Sequence, residues 1–354
     1  MKVAPILRAF GTHAPSLTPV LVHTGQHYDA AMSDVFFREL EIRQPDHHLH
    51  VGPGAHGAQT AKILAAFEAL VEARRGAVCG VVVVGDVNST MACTLAAAKL
   101  QVPVAHVEAG LRSFDRTMPE EINRLVTDAI ADLLITSEPA GAENLSREGA
   151  DPARVVPCGN VMIDTLVQQR AAAEALDMPS RLGLTRGRYA LVTLHRPSNV
   201  DSRERIEALG EFLREAAERV AVVFPMHPRT RAKMEAFGVD RALAQHPRVR
   251  LLDPLSYREN LGLMAAAQVA LTDSGGIQEE TSYLGVPCLT LRSNTERPVT
   301  VRLGTNTLVG DDLGRARALL GEVLDGRYKQ GQPIPLWDGH AAERVVAALE
   351  KCWS

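Results

Sequence analysis

Ala270-Leu-Thr-Asp-Ser-Gly-Gly-Ile-Gln-Glu-Glu280 is the stretch from which the fold can be read. The short apolar run Val269–Leu271 predicts a buried strand. It stops at Thr272-Asp273-Ser274, and a helix can begin at Gly275-Gly276. Ser274 is suited to the N-cap, and two glycines let another group approach the backbone closely. The open N–H groups and positive dipole end of such a helix attract an anion, typically phosphate. Glu280 falls one turn beyond Gly276 on the same face, so its carboxylate can accept from a ribose hydroxyl above a bound phosphate. Taken alone, the pattern also describes an ordinary strand-to-helix turn with a Gly-rich cap.

Outward from this stretch, strand and helix alternate. In the second half, Ala190–Thr193 ends at Leu194-His195-Arg196-Pro197 and Val220–Phe224 ends at Pro225-Met226-His227-Pro228. Val249–Leu252 ends at Asp253-Pro254, and Pro287–Leu291 leads to Thr295-Glu296-Arg297-Pro298. The first half shows the same order. Gly80–Val84 ends at Gly85-Asp86, Val102–Val107 at Glu108-Ala-Gly-Leu-Arg112, and further strands are expected at Val20–His23, Leu133–Thr136 and Val155–Pro157. Continuous apolar runs of this kind belong to parallel sheets covered on both faces. A helix opens the chain over Met1–Phe10, with Gly11-Thr12-His13-Ala14-Pro15 following it, and Ala30–Leu40 also reads as helical.

Two Rossmann-like α/β domains in series follow: residues 1–165, with the amphipathic helix 340–354 packing back on them, and residues 166–339. Ligands of open α/β sheets bind beyond the carboxyl ends of the strands, so two such sheets facing each other would line a cleft with both sets of loops. Gly52-Pro-Gly54-Ala-His-Gly57 has dinucleotide-motif spacing, but Asp46–Val51 before it is too polar for the buried strand that motif needs. It is read as a loop entering a helix over Ala58–Ala73.

Composition narrows the class. The 354 residues carry a formal net charge of −4, are 46% hydrophobic and only 4% aromatic, and include no basic tract, which argues against nucleic acid. No apolar run is long enough to span a bilayer, and no signal peptide is evident, so neither membrane nor export is expected. The five cysteines are scattered without a Cys-x-x-Cys pair, which suits reduced thiols in the cytoplasm. No spacing matches a metal site, and His56 and the Asp46–His50 run are read as surface.

The polar residues past the strand ends divide by charge. The first domain offers Asp86, Glu108 and Glu120; the second offers His195, Arg196, His227, Arg297 and the Ser274–Gly276 turn. That division suits a nucleotide sugar, its diphosphate held by one domain and its hexose met by carboxylates of the other. Plainer readings stand beside it. Asp86 can cap a helix, Glu120 and Glu121 can serve only the helix dipole, and His227 can be a hydrogen-bonded core histidine. Glu108, ending a buried strand, needs Arg112 or a ligand as partner. Arg196 at a strand end needs an anion.

With these residues in place, the chain resembles the non-hydrolysing UDP-N-acetylglucosamine 2-epimerases. The resemblance is carried by His23-Thr-Gly-Gln-His-Tyr-Asp29, Gly85-Asp86, His106-Val-Glu-Ala-Gly-Leu-Arg112, Pro119-Glu-Glu-Ile-Asn-Arg124, Gly159-Asn160, Leu194-His-Arg196, Asp273–Glu280 and Thr295-Glu-Arg-Pro298. It implies a GT-B-type fold, usually dimeric, that interconverts UDP-N-acetylglucosamine and UDP-N-acetylmannosamine through an acetamido-glucal, with no metal or organic cofactor. It also implies Asp86, Glu108 and Glu120 as essential acids. Ser274, Gly275 and Gly276 would form the phosphate turn and Glu280 the ribose contact. His195 and Arg297 would hold the diphosphate or sugar, and Lys2, Arg196, Leu255 and Asn260 complete the expected substrate contacts.

Three departures qualify the resemblance. Asn260 stands where many members have an aromatic near the uracil, and Ser198 where many have Glu after the His-Arg pair. The first strand and Gly-Thr-Arg-Pro-Glu loop that usually precede the Lys-x-Ala-Pro match are not in this sequence. On that ground weak activity and lowered stability are expected, relative to an upstream-extended chain. Competing readings are a GT-B glycosyltransferase, a hydrolysing epimerase, an inactive nucleotide-sugar binder and an epimerase of UDP-2,3-diacetamido sugars.

Overall fold

A computed structural model describes residues 1–25 and 37–354. The last four residues of the His23–Asp29 motif, and most of the helix expected over Ala30–Leu40, lie outside the described residues. The chain forms two compact units. One is Met1–Thr165 with Pro335–Ser354, and the other is Leu166–Ile334.

In the first unit, strands β3 (Val81–Val84), β4 (Val104–Val107), β5 (Leu133–Thr136) and β6 (Val155–Pro157) form a parallel sheet in that order. Four consecutive valines suit the pleated backbone of β3. β4 and β5 are buried along their whole length, because helices cover both faces. Ala105 and Val107 pack with the helix Val3–His13 and the C-terminal helix Ala341–Trp353, whereas Val104 and Leu134 pack with the helix His56–Glu72. The C-terminal helix is tied down at its start by Asp164, whose carboxylate accepts from Ala341 N (3.1 Å) and Ala342 N (2.6 Å). A second parallel sheet has two short strands, β1 (Val22–His23) and β2 (His47–His48). Among the described residues it does not pair with β3. An apolar cavity of about 470 Å³ touches both β1 and β3, with Ile6, Phe10, Val71 and Trp353 in its wall.

In the second unit a six-stranded parallel sheet runs β12-β11-β10-β7-β8-β9. Its strands are β7 (Tyr189–Thr193), β8 (Ala221–Pro225), β9 (Val249–Leu252), β10 (Val269–Thr272), β11 (Cys288–Thr290) and β12 (Asn306–Leu308). The chain winds outward one way from β7 and then the other way from β10. The reversal between those neighbours is the topological switch point, where open α/β sheets bind ligands. Val192, Phe224, Leu271 and Leu289 from the sheet share a core with Leu209, Phe212 and Leu320 from the helices.

His47–His48 pairs with β1 as a two-residue strand whose side chains stay partly exposed, in keeping with its polarity. Two local features differ from expectation. Gly11, Thr12 and His13 belong to the first helix rather than following it. β12 was not expected from the sequence; it is three residues long, and its Asn306 is buried by hydrogen bonds to Thr290, Gln278 and Thr300.

Candidate active site

The acids of the first unit gather where β3 and β4 end side by side. Val84 pairs with Val107, so Gly85-Asp86 and Glu108 leave the sheet together. Glu108 is only 3% exposed and adopts φ +75°, a left-handed conformation that costs a non-glycine residue about 1–3 kcal/mol. Its backbone is held by Glu108 N and Ala109 N, both donating to Ile135 O at 3.0 Å. Lys2 pairs with one carboxylate oxygen. The other, Oε1, is buried without a hydrogen-bond partner among the described residues. Arg112 is not its partner; that guanidinium binds Asp128 (2.7 Å) and Glu148 (2.6 Å). Gly85, at φ +75°, lies under the Lys2–Glu108 pair, and a Cβ there would sit 3.1 Å from Lys2 Nζ.

Asp86 does not cap the following helix, whose N-cap is Val87. Its carboxylate accepts from Arg124 Nη1 at 2.5 Å, and its carbonyl from Asn123 Nδ2 at 2.9 Å. Both partners stand on the helix Pro119–Ile130. Glu120 lies one turn before Arg124 on that helix, half-buried, with no hydrogen bond or ion pair among the described residues. Its neighbour Glu121 is structural. It accepts from Ser113 N and Phe114 N, each at 2.9 Å, and from Arg124 at 2.6 Å. Burial would push its carboxyl up; those donors outweigh burial and hold it below the usual range.

The second unit places its candidates at the switch point. Thr193 and Thr272 are register partners, with hydroxyls 2.6 Å apart. Just beyond them Asp273, fully buried, accepts from His195 N (3.0 Å), Arg196 N (2.9 Å), Asn199 Nδ2 (3.1 Å) and the His195 ring at Nδ1 (3.0 Å). Burial alone would raise its carboxyl pKa; His195 and the other donors hold it low. His195 therefore presents its Nε2 edge outward, with the side chain 37% exposed. His227 stands beside it, ring centres 5.7 Å apart, and caps the helix Pro228–Phe237 by accepting from Arg229 N. Burial and the neighbouring His195 lower its pKa.

The helix Gly275–Leu284 starts here as expected, with one change. Ser274 occupies the N-cap position, but its side chain makes no capping bond; Ser274 N instead donates to Thr272 Oγ1 at 2.9 Å. The first N–H groups of Gly275 and Gly276 thus keep their anion-binding capacity. Arg297 lies against them, with Nη1 3.2 Å from the position a Gly275 Cβ would take, and its Nε pairs with Glu279 at 2.7 Å. Gln278 Oε1 holds the Thr295 loop by accepting from Thr295 Oγ1 at 2.6 Å. Glu280 is buried and accepts from Tyr257 Oη at 2.8 Å, and burial pushes its pKa up to about 7. Leu255 and Asn260 are half-buried around Tyr257, at the start of the helix Tyr257–Ala265.

Sequence reasoning missed the cations and acids that order these loops: Arg124, Glu121, Asp128 and Tyr257. Arg124 and Glu121 stood inside a quoted motif, and the available signal was that a buried arginine demands a carboxylate. Nothing in the local sequence marks Tyr257 as the partner of Glu280. Among the described residues no group of three or more His, Cys, Asp or Glu side chains is placed to hold a metal ion. No described helix is long and apolar enough to cross a membrane.

The family profile described as UDP-N-acetylglucosamine 2-epimerase matches residues 11–350. The UDP-N-acetylglucosamine 2-epimerase of Methanocaldococcus jannaschii is 39% identical over 354 residues, covering 99% of this chain and 95% of the relative. The UDP-2,3-diacetamido-2,3-dideoxy-D-glucuronate 2-epimerase of Pseudomonas aeruginosa is also 39% identical, over 95% of this chain and 92% of that one. The crystal structure of the M. jannaschii enzyme in complex with UDP-GlcNAc and UDP superposes with a TM-score of 0.88 at 38% identity, covering 99% of this chain and 96% of its own. On sequence, fold and extent of coverage together, the chain belongs to the UDP-N-acetylglucosamine 2-epimerase family.

Proposed function

We propose that this protein inverts C2 of UDP-N-acetylglucosamine, giving UDP-N-acetylmannosamine reversibly. The C2 proton beside the acetamido group is poorly acidic. Elimination removes the difficulty: a carboxylate takes the C2 proton, its electrons form the C1=C2 bond, and the C1–O pair leaves with UDP. UDP then adds back through oxygen at C1 while a proton is delivered to C2 from the opposite face. UDP leaves readily where N–H groups and cations stabilise its charge. The open helix start at Gly275-Gly276, Ser274, Arg297, Arg196 and the Nε2 edge of His195 supply that at the second unit. Glu280 takes the ribose in this reading, with Leu255 and Asn260 near the base.

The hexose falls to Lys2, Asp86, Glu108 and Glu120 of the first unit. Glu108 is the observation that carries the reading, because a buried carboxylate on strained backbone with one oxygen unpartnered is poised to act on a ligand. Asp86 gives one oxygen to Arg124 and Glu108 gives one to Lys2, so a cation orients each of these two acids, and Glu120 stands beside them on the helix Pro119–Ile130.

Incubation with UDP-N-acetylglucosamine in heavy water tests the proposal. Deuterium at C2 of the recovered UDP-sugar, in both epimers, is expected. Turnover that requires an acceptor, without C2 exchange, would point to a glycosyltransferase instead. A parallel arm with the UDP-diacetamido-glucuronate decides the substrate, since a relative equally identical to this chain carries that name. The proposal extends to a cytoplasmic homodimer, which sedimentation at twice the mass of one chain would support.

A further inference from the structure

His106 takes no part in the chemistry above, yet it lies directly beneath the acids. It is fully buried in β4, two residues before Glu108. Both ring nitrogens face acceptors. Nδ1 is 2.6 Å from Asp128 Oδ1, and Nε2 is 2.8 Å from the carbonyl oxygen of Gly85. Neither acceptor can donate unless Asp128 is protonated, and Asp128 also receives Gly110 N (2.9 Å) and Arg112 Nη1 (2.7 Å), which favour its ionised form. A neutral imidazole would leave one nitrogen lone pair aimed at an oxygen lone pair in a sealed core. The ring satisfies both contacts only as an imidazolium donating twice.

The second contact is the consequential one. A peptide unit is planar and trans, so its C=O and N–H point in opposite directions. Drawing the Gly85 carbonyl inward to His106 turns the Asp86 N–H outward. It also fixes the root of the Asp86 side chain, next to Gly85, which lies at φ +75° under Lys2 and Glu108. We propose that His106 is a positioning residue: by donating from both nitrogens, to Asp128 and to the Gly85 carbonyl, it sets the peptide that aims Asp86 at the hexose beside Glu108. The charges facing it are Asp128 and Glu108, with Arg112 and Lys2 behind them. Burial alone would drive the ring towards neutrality, and the Asp128 carboxylate outweighs that and raises its pKa. The role rests on reading Asp86 and Glu108 as the acids of the C2 chemistry.

Two measurements on the full chain test it. Nitrogen-15 NMR of the imidazole in the unsubstituted protein is expected to show both His106 nitrogens protonated at pH 8; a neutral ring there would overturn the proposal. In His106→Ala, kcat per UDP-binding-competent molecule is expected to fall about 100-fold, with KM and UDP affinity within about twofold. His106→Gln, whose amide can still donate to Gly85, should recover at least about tenfold of that loss. A filling role alone would lower the folded fraction and leave kcat per folded molecule unchanged, and that result would overturn the assignment. Deuterium exchange separates the two levels. No C2 exchange in the unsubstituted protein overturns the epimerase reading and this role with it. Exchange there with unchanged kcat in His106→Ala overturns this role alone.

Discussion

The two units each place a histidine against a buried aspartate at the carboxyl edge of a sheet, and they use the pair in opposite ways. In the first, His106 is sealed; both nitrogens are spent on Asp128 and Gly85, and nothing of the ring reaches solvent. In the second, Asp273 takes Nδ1 of His195 and two backbone N–H groups, and the far edge of the ring is left open. The aspartate does the same work in both: it takes the Nδ1 edge of a histidine and pins the loop that follows a strand. What differs is where the ring lies relative to the sheet, inside β4 or just beyond the end of β7. A His–Asp pair is therefore a site for chemistry only when one nitrogen remains unspent, and the same residues inside a strand become a brace.

That contrast can be broken or sharpened by substitution. The largest effect is expected from Glu108→Gln, which removes an unspent carboxylate. C2 deuterium exchange should fall by about 10²–10⁴-fold, while the melting temperature falls modestly because Lys2 loses the carboxylate it pairs with. A stable variant with normal exchange would remove Glu108 from the chemistry.

Next comes Glu280→Gln. Glu280 binds its proton more tightly when folded, with a pKa of about 7 against 4.5 for the free group. Its sign is therefore a penalty, absent below about pH 4.5, growing as pH rises to 7 and constant above. Removing the charge should add on the order of 3 kcal/mol at pH 8 and little at pH 5, read by denaturant titration at both. UDP affinity should weaken in the same variant, since the ribose acceptor is altered. An equal stability change at both pH values would contradict the buried ionisation.

Asp273→Asn and Asp128→Asn test whether the two braces are equivalent. Each should cost about 1–3 kcal/mol, because a carboxylate gathering several donors is replaced by an amide that turns N–H groups towards some of them. Calorimetry with UDP should separate them, with weaker binding in Asp273→Asn and unchanged binding in Asp128→Asn. Equal loss of UDP affinity in both would end the distinction. The smallest effect belongs to the apolar cavity between β1 and β3. A small apolar ligand such as benzene should raise stability by about 1 kcal/mol or less, read as a shift in melting temperature, without changing kcat.

Most strands could be read from runs of β-branched residues and the loops that stop them. Leu133–Thr136, Val155–Pro157 and Val249–Leu252 stand where the pattern put them. Two strands that the pattern did not mark share a cause. His47–His48 and Asn306–Leu308 are short and polar, and they exist as strands only because a neighbouring strand supplies the other half of the hydrogen bonds. Candidate side chains were legible because acids, arginines and histidines past strand ends need partners. Which partner each one found was not, as Glu108 shows by taking Lys2 across 106 residues instead of Arg112 four residues away.

Local order along the chain was enough to establish alternating strand and helix, a glycine-opened helix able to receive an anion, and the family to which these motifs belong. Short-range backbone sterics and apolar spacing determine those features, and both are written residue by residue. Strand order was decided only in three dimensions. It brings Thr193 beside Thr272 and so sets His195 on Asp273, 78 residues distant. Which acids are spent and which remain free was decided there too, because ionised groups removed from water must be matched by whatever opposite charge the packing delivers, however far away in the sequence it lies.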